Sequence, residues 1–104
     1  MTPLEKEIEA KLVERIRRRG GLCLKWVCPG WAGVPDRIIL LPGGRVIFAE
    51  LKRPKGGVVS SRQKWWANKL RALGFAHYYI YTPDDVLNLD LILQVEDAET
   101  GWRR

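Results

Sequence analysis

Only two cysteines and one histidine occur in this chain of 104 residues, so the side chains that build most zinc sites and disulfide frameworks are nearly missing. On a single strand Cys23 and Cys28 would lie about 16 Å apart and face opposite ways, too far for a disulfide. With His77 alone to help, they also lack a recognised zinc spacing. Two buried, reduced thiols are expected, with no structural metal or bridge. No apolar run approaches the roughly 18 residues that span a bilayer. The first ten residues mix charged and apolar side chains without a continuous apolar segment, which argues against a secretory leader and for a cytoplasmic protein with no membrane partner. Internal repeats and low-complexity tracts are missing too, as is a Gly-rich phosphate loop of the known kinds, which disfavours an enzyme acting on free nucleotides.

What is present is positive charge. Eighteen Lys and Arg stand against twelve Asp and Glu, a net +6 that makes a polyanion the expected partner. The cations fall into groups. Arg15, Arg17, Arg18 and Arg19 crowd one helix end, Arg53 and Lys55 follow a strand, and Arg62, Lys64, Lys69 and Arg71 decorate a second helix. For the first group, helix-dipole compensation and phosphate binding are both open readings, and the Arg17-Arg18-Arg19 run reads as a DNA-facing edge. Arg53, Lys55, Arg62 and Lys64 are expected to bind DNA.

With 46% apolar content, the chain can bury one modest core, so a single domain over residues 1–104 is expected. Leu4, Ile8, Leu12 and Ile16 recur every four positions and predict an amphipathic helix that Gly20-Gly21 end. Leu22 to Cys28 reads as a strand. Two further strands, Arg37 to Leu41 and Arg45 to Lys52, flank the turn signal Pro42-Gly43-Gly44, and their near-continuous apolar character suggests cover on both faces. A basic loop leads to a helix with Ser60 and Gln63 at capping-box spacing. This helix carries Trp66, Leu70 and Leu73 on its core face and stops at Gly74. Phe75 to Tyr81 reads as a strand, after which Thr82 caps a last helix with Pro83 at its first position. Residues 96–104 read as a frayed tail.

Asp36 stands at the mouth of a strand after Gly33-Val34-Pro35, where proline holds Val34 extended. Fourteen residues on, Glu50 and Lys52 are two apart in an apolar strand and so leave the same face. An arbitrary Glu-x-Lys is usually an exposed ion pair. Here the strand is too apolar for an edge, and a buried charge must be paired or bound to metal. Two carboxylates suit Mg²⁺ or Mn²⁺, an ion that acidifies water and offsets charge on a phosphoryl oxygen, while Lys52 would neutralise the transition state. That is the chemistry of phosphodiester hydrolysis.

Through Pro35-Asp36 and Glu50-Leu51-Lys52 the chain resembles the PD-(D/E)xK nuclease superfamily. With Gly33-Val34 before the Pro-Asp, Gln63 at the next helix and Trp65 or Trp66 soon after, it resembles the VRR-NUC (virus-type replication-repair nuclease) family in particular, from Glu5 to about Leu93. The resemblance implies an α/β, restriction-endonuclease-like αβββαβ core with a mixed central sheet flanked by helices. It also implies a Mg²⁺- or Mn²⁺-dependent endodeoxyribonuclease, with Asp36, Glu50, Lys52 and Gln63 as catalytic residues and a helix-one glutamate joining Asp36 and Glu50 as a metal ligand. Glu5 and Glu9 share one helix face; the spacing from Glu9 to Gly20 is similar to that in archaeal-type Holliday-junction resolvases and favours Glu9. Small stand-alone members of the family imply a homodimer acting on branched DNA such as four-way junctions or flaps, and a phage or prophage origin. A non-catalytic basic DNA-binding module of the same fold is the alternative, but such a module has no need of buried acids that repel phosphate. Gln63 is read equally as cap and as catalytic group, Trp65 as exposed, Trp31 as either a lid or a core plug, and His77 as structural.

Overall fold

The structure, a computed structural model, describes residues 3–101. Its elements run α1 (Pro3–Arg18), β1 (Leu22–Lys25), β2 (Arg37–Leu41), β3 (Arg45–Leu51), α2 (Ser61–Ala72), β4 (Ala76–Ile80) and α3 (Pro83–Thr100). One sheet of order β1-β2-β3-β4 holds all four strands. β1, β2 and β3 form an antiparallel meander, and β4 adds in parallel to β3 after the α2 crossover. The fold is the expected mixed α/β sheet flanked by helices.

The alternation of side chains along each strand sorts the sheet into two faces. Ile39, Leu41, Ile47, Ala49, Leu51 and Ile80 point to one side, where they meet Ile8, Leu12 and Ile16 of α1 and Val86, Leu89 and Leu93 of α3. Each large aliphatic buried there contributes about 1.5–3 kcal/mol over its exposed state. Phe48, Glu50 and His77 point to the other side, under α2, which buries Ala67 and Leu70. α2 does not reach the far edge of that face, so Leu22, Leu24 and Leu40 stay exposed. The expectation of strands covered on both faces therefore holds for most of β3 and fails for the outer part of β2.

Several boundaries differ from the sequence reading for local reasons. β1 stops at Lys25 rather than Cys28 because its partner β2 begins at Arg37; only the Trp26 amide, bonded to the Asp36 carbonyl, extends the pairing. Leu73 is the C-cap of α2, past its last packed turn, and is exposed rather than in the core. Both capping boxes form: Ser60 with Gln63 at α2, and Thr82 with Asp85 at α3. Residues 96–100, expected to fray, are the last turn and more of α3, held by ion pairs from Arg45 to Glu96 and Asp97. Residues 102–104 of the expected tail lie outside the described residues. No helix among the described residues is long and apolar enough to cross a membrane.

The arginines of α1 prove to be mostly internal fasteners. Arg19 donates to Asp90 at 2.6 Å and to Asp97 at 3.1 Å, Arg15 reaches Asp90 at 3.1 Å, and Arg17 and Arg18 both pair with Glu14 one turn back. Together with Arg45 on Asp97, these bonds tie the end of α1 and the start of β3 to α3. Of the DNA-facing edge expected at Arg17-Arg18-Arg19, Arg19 is withdrawn by acids over seventy residues away, while Arg17 and Arg18 stay exposed beside Glu14.

The unequal burial of these pairs predicts unequal costs. Arg19→Ala takes one of two cationic partners from each of two half-buried carboxylates, Asp90 and Asp97, and is expected to lose about 1–3 kcal/mol in urea unfolding. Arg17→Ala, at an exposed pair, is expected to leave the unfolding midpoint nearly unchanged.

Candidate active site

Among the described residues Glu50 is the most deeply buried acidic or basic side chain, at 1% exposure. It sits at the end of β3, on the face under α2, and the meander brings Asp36 beside it from the start of β2. The two carboxylates are held by different means. Asp36, itself exposed, accepts the Leu51 amide on Oδ2 at 2.8 Å, capping a β3 donor at the point where β2 begins. Glu50 accepts the Gln63 side-chain amide on Oε1 at 3.1 Å, and among the described residues no donor reaches its buried Oε2.

Gln63 links the whole cluster. Its Oε1 accepts from the Lys52 ammonium at 2.8 Å and from the Ser60 amide at 2.9 Å, while its own amide nitrogen in the backbone donates to Ser60 Oγ at 3.2 Å. The two open readings of this residue are therefore one geometry: the capping box aims the side chain, and the aimed side chain bridges Glu50 and Lys52. Shared contact with Gln63 also places Glu50 and Lys52 on the same face, as their two-residue spacing requires.

Gly33 allows this packing. At φ +84 it adopts a left-handed conformation that side chains disfavour, and a Cβ there would lie 2.7 Å from Arg62 Cβ and 3.1 Å from the Gln63 amide nitrogen. The loop before Asp36 consequently lies directly on the first turn of α2. Trp66 reinforces the contact by donating from Nε1 to the Ala32 carbonyl at 3.0 Å.

Burial above all, and next the neighbouring charge of Asp36, push the Glu50 carboxyl up to about 8. A buried carboxyl with an unpartnered oxygen beside a second carboxylate is an environment that a hard cation would relieve. Asp36 and Glu50 fit a divalent ion in that sense. Glu9, expected to complete the set, is not brought to them. It pairs with Arg37 at 3.1 Å on the α1 face of the sheet, and Arg37, buried, also donates to the Cys23 carbonyl. Among the described residues no group of three or more His, Cys, Asp or Glu is gathered closely enough to hold a metal ion. Glu5, the other helix-one acid, is half-buried and engaged in contacts of its own.

Arg53, Lys55, Arg62 and Lys64 are all exposed around this cluster. Unlike those of the α1 arginines, their side chains enter no ion pair or hydrogen bond among the described residues. Trp65 is exposed as expected, and Trp31 proves to be a surface side chain rather than a core plug. His77 is buried, and among the described residues neither ring nitrogen has a partner; burial, then Arg71, pushes it down to about 4, which favours the neutral ring. Cys23 is buried and Cys28 half-buried, both as free thiols. Tyr79, opposite Glu50 on β4, was missed from sequence. Only the parallel register reveals that neighbour, and no local signal in the sequence encodes it.

The raised Glu50 carboxyl gives a signed pH dependence. The unfolded chain releases this proton near 4.5 and the folded chain near 8, so the folded state holds more protons in between and loses stability as pH rises through that window. Glu50→Gln removes the effect. In metal-free buffer the melting temperature of Glu50→Gln is expected to gain on that of the parent steadily from pH 5 to 8. The opposite trend of His77, which costs stability as pH falls from 6.5 toward about 4, is common to both proteins and cancels in the difference.

Comparison with known proteins gives three findings. No protein-family model matches the chain. It is 50% identical over 50 residues to "Putative nuclease p44" of Acyrthosiphon pisum secondary endosymbiont phage 1, a match covering 48% of this chain and 54% of that protein; the chain thus spans about half the length of that curated relative. Among solved structures it superposes on one described as a VRR_NUC domain with a TM-score of 0.78 and 25% sequence identity, over 85% of this chain and 95% of the other. Nearly the entire solved domain is matched, in agreement with the resemblance carried by Gly33-Val34-Pro35-Asp36 and Glu50-Leu51-Lys52, and the chain has the fold of a VRR-NUC domain.

Proposed function

We propose that this domain is a divalent-metal-dependent DNA endonuclease that hydrolyses phosphodiester bonds at the Asp36, Glu50, Lys52 and Gln63 cluster. The observation that carries the reading is the buried Glu50 carboxylate beside Asp36, with Lys52 joined to it through Gln63. A protein that only bound DNA would gain nothing from two acids facing the phosphates, and burying one of them costs several kcal/mol unless it is compensated.

Asp36 and Glu50 would hold Mg²⁺ or Mn²⁺. Such an ion, when bound, lowers the pKa of water and offsets charge on a phosphoryl oxygen. The protein's own groups do the rest. The Leu51 amide and the Gln63 side chain fix the two carboxylates in place, so little reorganisation is needed when substrate arrives. Lys52, steered by Gln63, is placed to donate to a non-bridging oxygen of the attacked phosphate. Arg53, Lys55, Arg62 and Lys64 are free to pair with flanking phosphates, which fixes register without reading sequence.

Branched DNA, four-way junctions or flaps, is the substrate class and a homodimer the working unit that the family likeness supports. Two symmetric sites suit paired cuts in a symmetric junction. The phage origin of the p44 relative is in keeping with a phage or prophage source.

The test is cleavage of labelled linear, flapped and four-way DNA with Mg²⁺, Mn²⁺ or EDTA. Cutting is expected only with metal and only in the parent, with Glu50→Gln, Asp36→Asn and Lys52→Ala each slower by at least about 100-fold. Mg²⁺ or Mn²⁺ is also expected to raise the parent's melting temperature and to leave that of Glu50→Gln unmoved. Tight DNA binding without cutting in any metal would overturn the reading in favour of a binding module.

Binding itself should weaken steeply with salt. Arg62→Ala and Arg53→Ala are each expected to reduce the slope of log affinity against log salt by about one unit, whereas Arg17→Ala should leave that slope unchanged.

A further inference from the structure

Beside the carboxylate cluster, on the outer side of the α2 first turn, an open cleft of about 430 Å³ is lined by Trp31, Ala32, Ser61, Arg62, Trp65 and Trp66. Trp66 forms its back wall. Its indole is anchored by the Ala32 carbonyl and by Trp26, which in turn rests on Phe48. Trp31 and Trp65 flank it edge-on, with ring centroids 5.7 and 5.3 Å from its own, yet they remain 58% and 51% exposed. Two large indoles left half in water on one cleft are unusual for a surface that only has to be soluble.

The lining defines the guest. Exposed aromatic rings accept a flat ring, and Arg62, without an ion pair among the described residues, can hold an anion at the rim. The volume is that of a small-molecule pocket, ample for one base and its sugar but reached only by a base that has left a duplex stack. The chain's +6 charge and the exposed Lys64 continue the anion path. Sequence adjacency then ties the cleft to the chemistry: Arg62 precedes Gln63, and Ala32 precedes the Gly33 that packs on both of them.

We propose that this cleft stacks an unpaired nucleobase of a DNA strand next to the attacked phosphodiester, so that DNA with a single-stranded segment at the cut point is preferred over continuous duplex. The proposal rests on the nuclease reading of the neighbouring carboxylates and supplies the feature by which that site distinguishes its substrate. Trp31, Trp65 and Trp66 act as a stacking platform that tolerates any base, because every base offers a π-face.

The experiment measures binding in EDTA, where no cutting interferes, by fluorescence anisotropy. The probes are a labelled oligothymidylate, a strand of the same length with abasic sites, and a duplex of that length. The parent is expected to hold the base-bearing strand more tightly than the abasic one. Trp65→Ala should weaken the base-bearing strand about 5- to 150-fold, the loss of one base–aromatic stack, and bring it level with the abasic strand; Trp65→Tyr should restore the difference. Equal affinity of the parent for base-bearing and abasic strands overturns the proposal, whatever the variants do. So does a base preference that survives in the Trp31→Ala, Trp65→Ala double variant. Base preference intact in a protein that cuts nothing in any metal supports the stacking site and overturns the nuclease reading instead.

Discussion

The burial of one carboxylate sets the terms for the rest of this molecule. Glu50 emerges from the most buried strand into a space closed by α2, and a charge in that position must be answered by hydrogen bonds, by a cation or by a proton. The protein supplies a single amide, from Gln63, and a second acid, Asp36, which worsens the electrostatics. Other features follow from keeping that arrangement in place. Gly33 lets the Asp36 loop lie against α2, Trp66 pins the same loop from the side, and Lys52 balances part of the charge through Gln63. Arg37 and His77 apart, the buried residues of the fold are apolar, and on the proposed function so costly a feature marks where chemistry is done.

The cations divide accordingly. Arg15 and Arg19 at the end of the first helix and Arg45 at the start of β3 are spent on acids of α3 and serve the fold. Those on the loop after β3 and on the first turn of α2 have no acid to meet and surround the carboxylates. A net charge of +6 conceals this asymmetry, because paired and unpaired arginines count alike in a sum. The field that a polyanion would feel is concentrated on the α2 side of the sheet, where the cleft and the carboxylates also lie.

Much of this was legible in the sequence wherever the determining contacts are local. The hairpin of β2 and β3, the Ser60–Gln63 capping box, the Thr82 cap and the exposure of Trp65 beside Trp66 depend on residues within a turn or two of each other. The Asp36, Glu50 and Lys52 grouping could be read because strand alternation fixes the face and a short turn fixes the partner. Long-range partners could not. Helical phase put Glu5 and Glu9 on one face of α1 but said nothing of Arg37, which takes Glu9 on the opposite side of the sheet from Glu50. The arginine run of α1 looked free because Asp90 and Asp97 lie on the last helix. The same two-sided dependence made residues 96–100 look loose, since their anchor, Arg45, belongs to a distant strand.

Gln63 has a consequence for how such a domain would lose function on heating. Its side chain is at once the start of a helix and the brace of the two charged residues that it bridges. Fraying of the first turn of α2, a local opening far smaller than the unfolding of the sheet, would release the cap and disarm the site in a single event. The working temperature range is then set by the integrity of one helical turn, and the strength of the sheet beneath adds little to it.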